Sequence, residues 1–124
     1  MIPESFSRTK KINLKSHESY ESKPTFELKV LSGRKFSKVV NIFDQKIAKK
    51  DQDTNIEEIN NAIVKMLQIC IKSWENLFND DGDPVEYDYK NIDQILDCLT
   101  YLELYELLEI IIDNNSISAD QAKN

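Results

Sequence analysis

Glycine is nearly missing from this 124-residue chain: Gly33 and Gly82 are the only two. A phosphate-cradling loop or dinucleotide fingerprint needs several glycines close together, so both are excluded. Histidine is rarer still. His17 alone supplies no imidazole pair for a metal, and in the expected arm it gives no base for a Ser or Cys nucleophile of the usual kind. The two cysteines, Cys70 and Cys98, sit beside apolar positions of helical pattern, which suits reduced core thiols better than a disulfide or a zinc site. No apolar run reaches the ~18 residues of a membrane span, and the first residues lack the apolar core of a secretory signal. The composition therefore points to a single domain in a cytoplasmic setting, without catalytic residues, metal ligands or cofactor.

What is present is charge, and it is unevenly placed. Residues 1–50 carry 12 Lys/Arg against 5 Asp/Glu, and residues 51–124 carry 4 against 17. Such polarity is satisfied either between the two halves of the fold or by a charged partner. From Met1 to about Pro24 neither helical nor alternating period is visible. This stretch reads as a flexible basic arm that stays mobile or orders against a partner. Its five cations against three carboxylates over residues 1–23 are few for a nucleic-acid contact.

Periodicity begins after Pro24. Phe26, Leu28 and Val30 alternate with charged residues, as in a strand with one buried face, and the internal partner for it is Val85-Glu86-Tyr87. Failing that pairing, an open edge remains for another chain. A first helix follows over roughly 34–49, with Phe36, Val39, Val40, Phe43 and Ile47 on one stripe and lysines flanking it. The link at 49–53 is short, so this helix lies antiparallel to the next.

That next element is the centre of the expected fold, one helix from Asn55 to Phe78. At ~100° per residue, Ile56, Ile59, Ile63, Met66, Leu67, Cys70, Trp74, Leu77 and Phe78 share a broad arc, which requires contact from several directions. Thr54 and Glu57 form a capping box at its start, and Gly82 and Pro84 close it off. Trp74 is expected as a core anchor. Tyr87 and Tyr89 either close the core or stand exposed.

Asp88 is positioned to cap a third helix bearing Ile92, Ile95, Leu96 and Leu99. Thr100 and Glu103 form a further capping box that opens a fourth helix, Tyr101 to about Asp113, with a polar tail over 116–124. On this last helix Leu104, Leu107, Leu108 and Ile111 make the stripe, Tyr101, Tyr105 and Ile112 lie beside it, and Glu103, Glu106, Glu109 and Asp113 gather opposite. Those carboxylates read as a solvated face, a contact for the basic first helix, or a dock for a basic partner. The acidic loop around Gly82 does not fit a calcium loop. With Gly82 sixth, Leu77 falls where the first carboxylate is needed.

The expectation is an all-α fold, a small bundle of about four helices around a long central helix with a short extended N-terminal segment. Its parts are an arm (1–24), a helical domain (25–115) and a tail (116–124). Candidate partner-binding residues are Phe26, Leu28, Val30, Tyr87, Tyr89, Glu103, Glu106 and Glu109.

The order of three features carries a family resemblance. They are Phe26-Glu27-Leu28-Lys29-Val30-Leu31-Ser32-Gly33-Arg34, the run Trp74-Glu75-Asn76-Leu77-Phe78-Asn79-Asp80-Asp81-Gly82-Asp83-Pro84-Val85-Glu86-Tyr87, and the apolar helices ending in Leu107-Leu108-Glu109-Ile110-Ile111. From about Thr25 to Asn115 the chain resembles the tail assembly chaperones of long-tailed bacteriophages. The resemblance implies a non-enzymatic protein of the infected bacterial cytoplasm that keeps the tape measure protein, and with it tail tube subunits, soluble until the tail polymerises. The residues themselves argue for no membrane partner and against a nucleic-acid one, and self-association stays open. The competing expectations are a structural or adaptor component retained in the virus particle and a small regulatory domain using its basic half on nucleic acid.

Overall fold

Phe26 and Leu28 are fully or almost fully buried because the strand that carries them, β2 (Thr25–Lys29), is the middle strand of a sheet. The computed structural model describes the backbone of residues 9–48 and 55–123 and the side chains of 9–47 and 55–113. In it β2 pairs antiparallel on one side with β1 (Thr9–Ile12) and on the other with β3 (Ile71–Glu75), giving the order β1-β2-β3. The fold is therefore mixed α/β, and the expected all-α bundle is corrected by this sheet. The expected partner of β2, Val85-Glu86-Tyr87, is not its neighbour. That segment lies beyond β3, where the Val85 carbonyl accepts the Trp74 Nε1–H at 2.7 Å.

The central element is shorter than its pattern implied. Helix α2 (Ile56–Cys70) stops at Cys70, and the chain passes into β3 with no loop between them. Its N-cap is Asn55, whose side chain accepts from the Glu57 N–H at 2.8 Å. Thr54 and the 49–53 link lie outside the described residues. Ala62, Ile63, Met66, Leu67 and Cys70 are buried, and α2 is packed by β2, by α1 (Gly33–Ile42), by the π-helical turn Phe43–Ala48 that prolongs α1, and by the 3-10 helix Tyr89–Asp97. The breadth of its apolar arc is matched by neighbours on several sides.

Beyond β3, Asn76 adopts a left-handed φ of 60°, a conformation Asn tolerates better than most residues. The acidic turn then closes on Asn79. Its Oδ1 accepts from the Asp81 and Asp83 N–H groups, both at 3.0 Å, while Gly82 takes a φ of 82°. Asp88 caps the 3-10 helix through the Lys90 N–H, and that helix is broken at Asn91. Helix α3 (Tyr101–Lys123) completes the chain and packs on α1. One contiguous core joins Phe26 and Leu28 of the sheet, Val39 of α1, the inner face of α2, Ile92 and Ile95, and Leu104, Leu107, Leu108 and Ile111 of α3.

Candidate functional site

The start of α3 is where most of the polar specificity of the fold converges. Thr100 and Glu103 make the reciprocal capping box. The Glu103 N–H donates to Thr100 Oγ1 at 3.2 Å and the Thr100 N–H donates to Glu103 Oε1 at 2.8 Å. The second carboxylate oxygen of Glu103 accepts from His17 Nε2. His17 is 1% exposed, its ring stacks on Tyr20 at 4.7 Å, and its Nδ1 is buried without a partner. One turn further on, Glu106 Oε2 accepts from the Lys15 N–H at 2.6 Å. Leu14, beside them, is buried.

Residues 9–23, expected to form part of a basic arm, thus supply the sheet's edge strand, the 3-10 turn Lys15–His17 and a buried histidine fastened to α3. Burial alone would raise the Glu103 pKa. The Thr100 N–H, the His17 ring and the Thr100 hydroxyl outweigh it, and the carboxyl titrates below its usual value.

The same turn of α3 presents apolar surface to water. Leu102 is 83% exposed and Tyr101 43%. The Tyr101 hydroxyl donates to Asn60 Oδ1 at 2.7 Å, tying this turn to the opening of α2, where Ile56, one helical turn before Asn60, is 63% exposed. Tyr105 stacks on Tyr101 with ring centroids 6.2 Å apart. The result is a platform of Ile56, Tyr101 and Leu102 across the starts of two helices, with exposed Glu57 and Glu109 on the same helices. Exposed aromatic and aliphatic side chains near the starts of two helices, one of them held by a hydrogen bond, suit the apolar face of a partner helix.

The residues expected to meet a partner are dispersed. Phe26 and Leu28 are core and cannot dock anything. Glu103 and Glu106 are occupied by His17, Thr100 and Lys15, which corrects their reading as a solvated face. Tyr87 closes the core, its ring edge-on to Trp74 at 5.2 Å. Val30, Tyr89 and Glu109 are exposed. The platform residues were legible only in part. Leu102 falls off the Leu104/Leu107/Leu108/Ile111 stripe, a large apolar side chain on the outer arc of an acidic helix, whereas Ile56 was hidden among the apolar positions of α2.

Cys70 and Cys98 are free thiols. Among the described residues no three His, Cys, Asp or Glu side chains are grouped to hold a metal ion, and no helix is long and apolar enough to cross a membrane. Comparison with family models, curated proteins and solved structures finds no match.

Proposed function

We propose that this chain is a non-enzymatic tail assembly chaperone of a long-tailed bacteriophage, acting in the host cytoplasm by holding the tape measure protein soluble. The observation that supports it is the Ile56/Tyr101/Leu102 platform, three large apolar side chains left in water at the joined starts of α2 and α3. A tape measure is a long helix-rich chain with apolar faces. Covering one such face with a preformed platform removes it from water and from its own kind. The resemblance carried by the Trp74–Tyr87 run supports the same reading. In this fold the run forms a strand, a turn closed by Asn79 and a returning segment that holds Trp74 and Tyr87 in the core.

Co-expression tests the proposal. A co-expressed tape measure protein is expected in the soluble fraction with the wild-type chain and in the pellet with Leu102→Asp or Ile56→Asp. Equal solubility with and without the chain overturns it. Mass spectrometry of purified particles separates this role from that of a retained adaptor, since a chaperone is absent from the finished tail.

A further inference from the structure

A set of cations stands unneutralised along one side of the fold. Arg34, Lys35 and Lys38 of α1, Lys46 of the π-helical turn and Lys65 of α2 are exposed, and none makes an ion pair among the described residues. Arg34 and Lys38, four residues apart, share a face of α1 with Asn41. That face leads into a cleft of about 360 Å³ between α1, the π-helical turn and α2. On α2 the cleft is lined by Glu58, Asn61 and Lys65, and at ~100° per residue Asn60, which holds Tyr101 of the platform, lies roughly 130° round the helix from them. Cleft and platform are separate surfaces.

Ile42 and Ala62 give the cleft an apolar floor. Its walls carry the amides of Asn41, Gln45 and Asn61, whose side chains have no hydrogen-bond partner among the described residues, with Lys46 and Lys65 beside them and Glu58 as the one carboxylate. The backbone leaves α geometry here, at Phe43–Ala48, and π-helical turns are rare and frequent at functional sites. These groups discriminate among anions. The bases of a single-stranded nucleic acid stack on aromatic rings, and no aromatic residue lines the cleft. A small anion does not span the run, which covers roughly 16 Å from Arg34 to Gln45 at 1.5 Å per residue. A helical partner has already satisfied its own backbone groups. An extended peptide offers unpaired N–H and C=O groups to amides, which both donate and accept, and carboxylates to cations. At ~3.3 Å per residue, about five residues of it cover the run.

We propose that the groove along α1 and α2 binds an extended acidic segment of a partner protein, its carboxylates meeting Arg34, Lys38, Lys46 and Lys65 and its backbone meeting the three amides. The first turn of α1 has no acidic residue, so the positive end of the helix dipole adds to the field of Arg34 and favours a carboxylate there. Glu58 repels a carboxylate, so the segment carries a neutral residue where it passes that side chain. The chain has net charge −6, which repels an acidic partner at long range. Attraction by the patch acts within a Debye length, about 10 Å at 0.1 M salt, and the contact is weak and salt-sensitive.

Fluorescence anisotropy with the full chain tests this. The probe is a labelled peptide of about six residues alternating glutamate with glycine, compared with its glutamine–glycine counterpart and with a single-stranded oligothymidylate. At roughly 0.05 M salt the glutamate peptide is expected to bind at least ~10-fold more tightly than either, and to lose most of that affinity by about 0.5 M. Lys38→Glu with Lys65→Glu lowers its affinity at least ~10-fold and gains binding of a lysine–glycine peptide. Gln45→Ala with Asn61→Ala, which keeps every charge, lowers it about 10-fold through lost hydrogen bonds. Leu102→Asp leaves it unchanged, which separates the groove from the platform. Circular dichroism confirms that each variant is folded. The proposal is overturned by equal affinity for the glutamate and glutamine peptides, by no binding up to about 1 mM, or by preference for the oligothymidylate. Charge variants that bind like wild type overturn it too, as does a second copy of the chain in the groove, seen as a dimer that the peptide disperses.

Discussion

Replacing Glu103 with Ala removes three favourable arrangements at once. The Thr100 N–H loses a charged acceptor at 2.8 Å, worth roughly 1.5–3 kcal/mol before relaxation. His17, 1% exposed, loses the partner of Nε2 while Nδ1 already has none, and stranding a buried polar group costs ~1–3 kcal/mol. An acidic group is also lost from the first turn of α3, about 0.3–1 kcal/mol. Because the Glu103 side chain keeps 14% exposure, water reaches part of the vacated site, and the expected total is about 2–4 kcal/mol. For a domain stable by ~5–15 kcal/mol, with a urea slope of about 2 kcal/mol per molar, the midpoint falls by roughly 1–2 M. Glu109→Ala, exposed on the same helix, is the control and moves stability by no more than ~0.5 kcal/mol. A double-mutant cycle with His17→Ala returns a coupling of about 1–3 kcal/mol. If Glu103→Ala unfolds at the wild-type midpoint, residues 9–23 are not fastened to α3 and the site collapses into an ordinary helix start.

Four further outcomes are expected. Glu103 titrates below its usual value of 4.5 in the folded protein, so its contribution is complete above that pH and is lost as pH falls through the lower folded value. The stability gap between wild type and Glu103→Gln should hold steady near neutrality and narrow in acid; a gap that widens in acid contradicts the pairing. Trp74→Phe leaves the Val85 carbonyl without its 2.7 Å donor and opens space in the core, costing about 1.5–3 kcal/mol by thermal denaturation. Asn79→Ala deletes two acceptor contacts in the acidic turn and costs ~1–2 kcal/mol, which hydrogen exchange at the Asp81 and Asp83 amides reports as lost protection. Burial, offset in part by Lys29, pushes the Cys70 thiol up to about 12, and Cys98 stands at about 11, partly open. Thiol labelling at neutral pH should therefore be slow at both and reach Cys98 first.

Local signals in the sequence were read well where they are chemically specific. The Thr100/Glu103 capping box, the Asp88 cap, the start of β2 and the burial of Trp74 all follow from side-chain chemistry acting over three or four residues. The central element was overextended for a definite reason. β3 bulges, so that Glu27 faces Ser73 and Leu28 faces Ile71, skipping Lys72. The bulge turns both Ile71 and Trp74 toward the core, three residues apart, and with Leu67, Cys70 and Leu77 this continues a helix-like spacing through a strand. No periodicity argument distinguishes that run from one more turn of helix.

The N-terminal segment failed differently. Its strand pairs only at the sheet's edge, where Lys10 and Lys11 are exposed, and its anchors, the Lys15 N–H and the His17 ring, are single groups whose partners lie some ninety positions away on α3. Such long-range satisfaction leaves no local pattern. The same distance concealed the platform. Ile56 and Leu102 gain meaning only when Asn60 and Tyr101 bring the starts of α2 and α3 together.

Isothermal titration of the purified chain with a soluble helical fragment of the tape measure protein, beside the same titration of Leu102→Asp, addresses the platform itself. Losing an anchor worth about 2 kcal/mol weakens binding roughly 30-fold. That loss, with the folding midpoint unchanged, is the expected result; equal affinities for the two proteins would place the partner elsewhere and contradict the account.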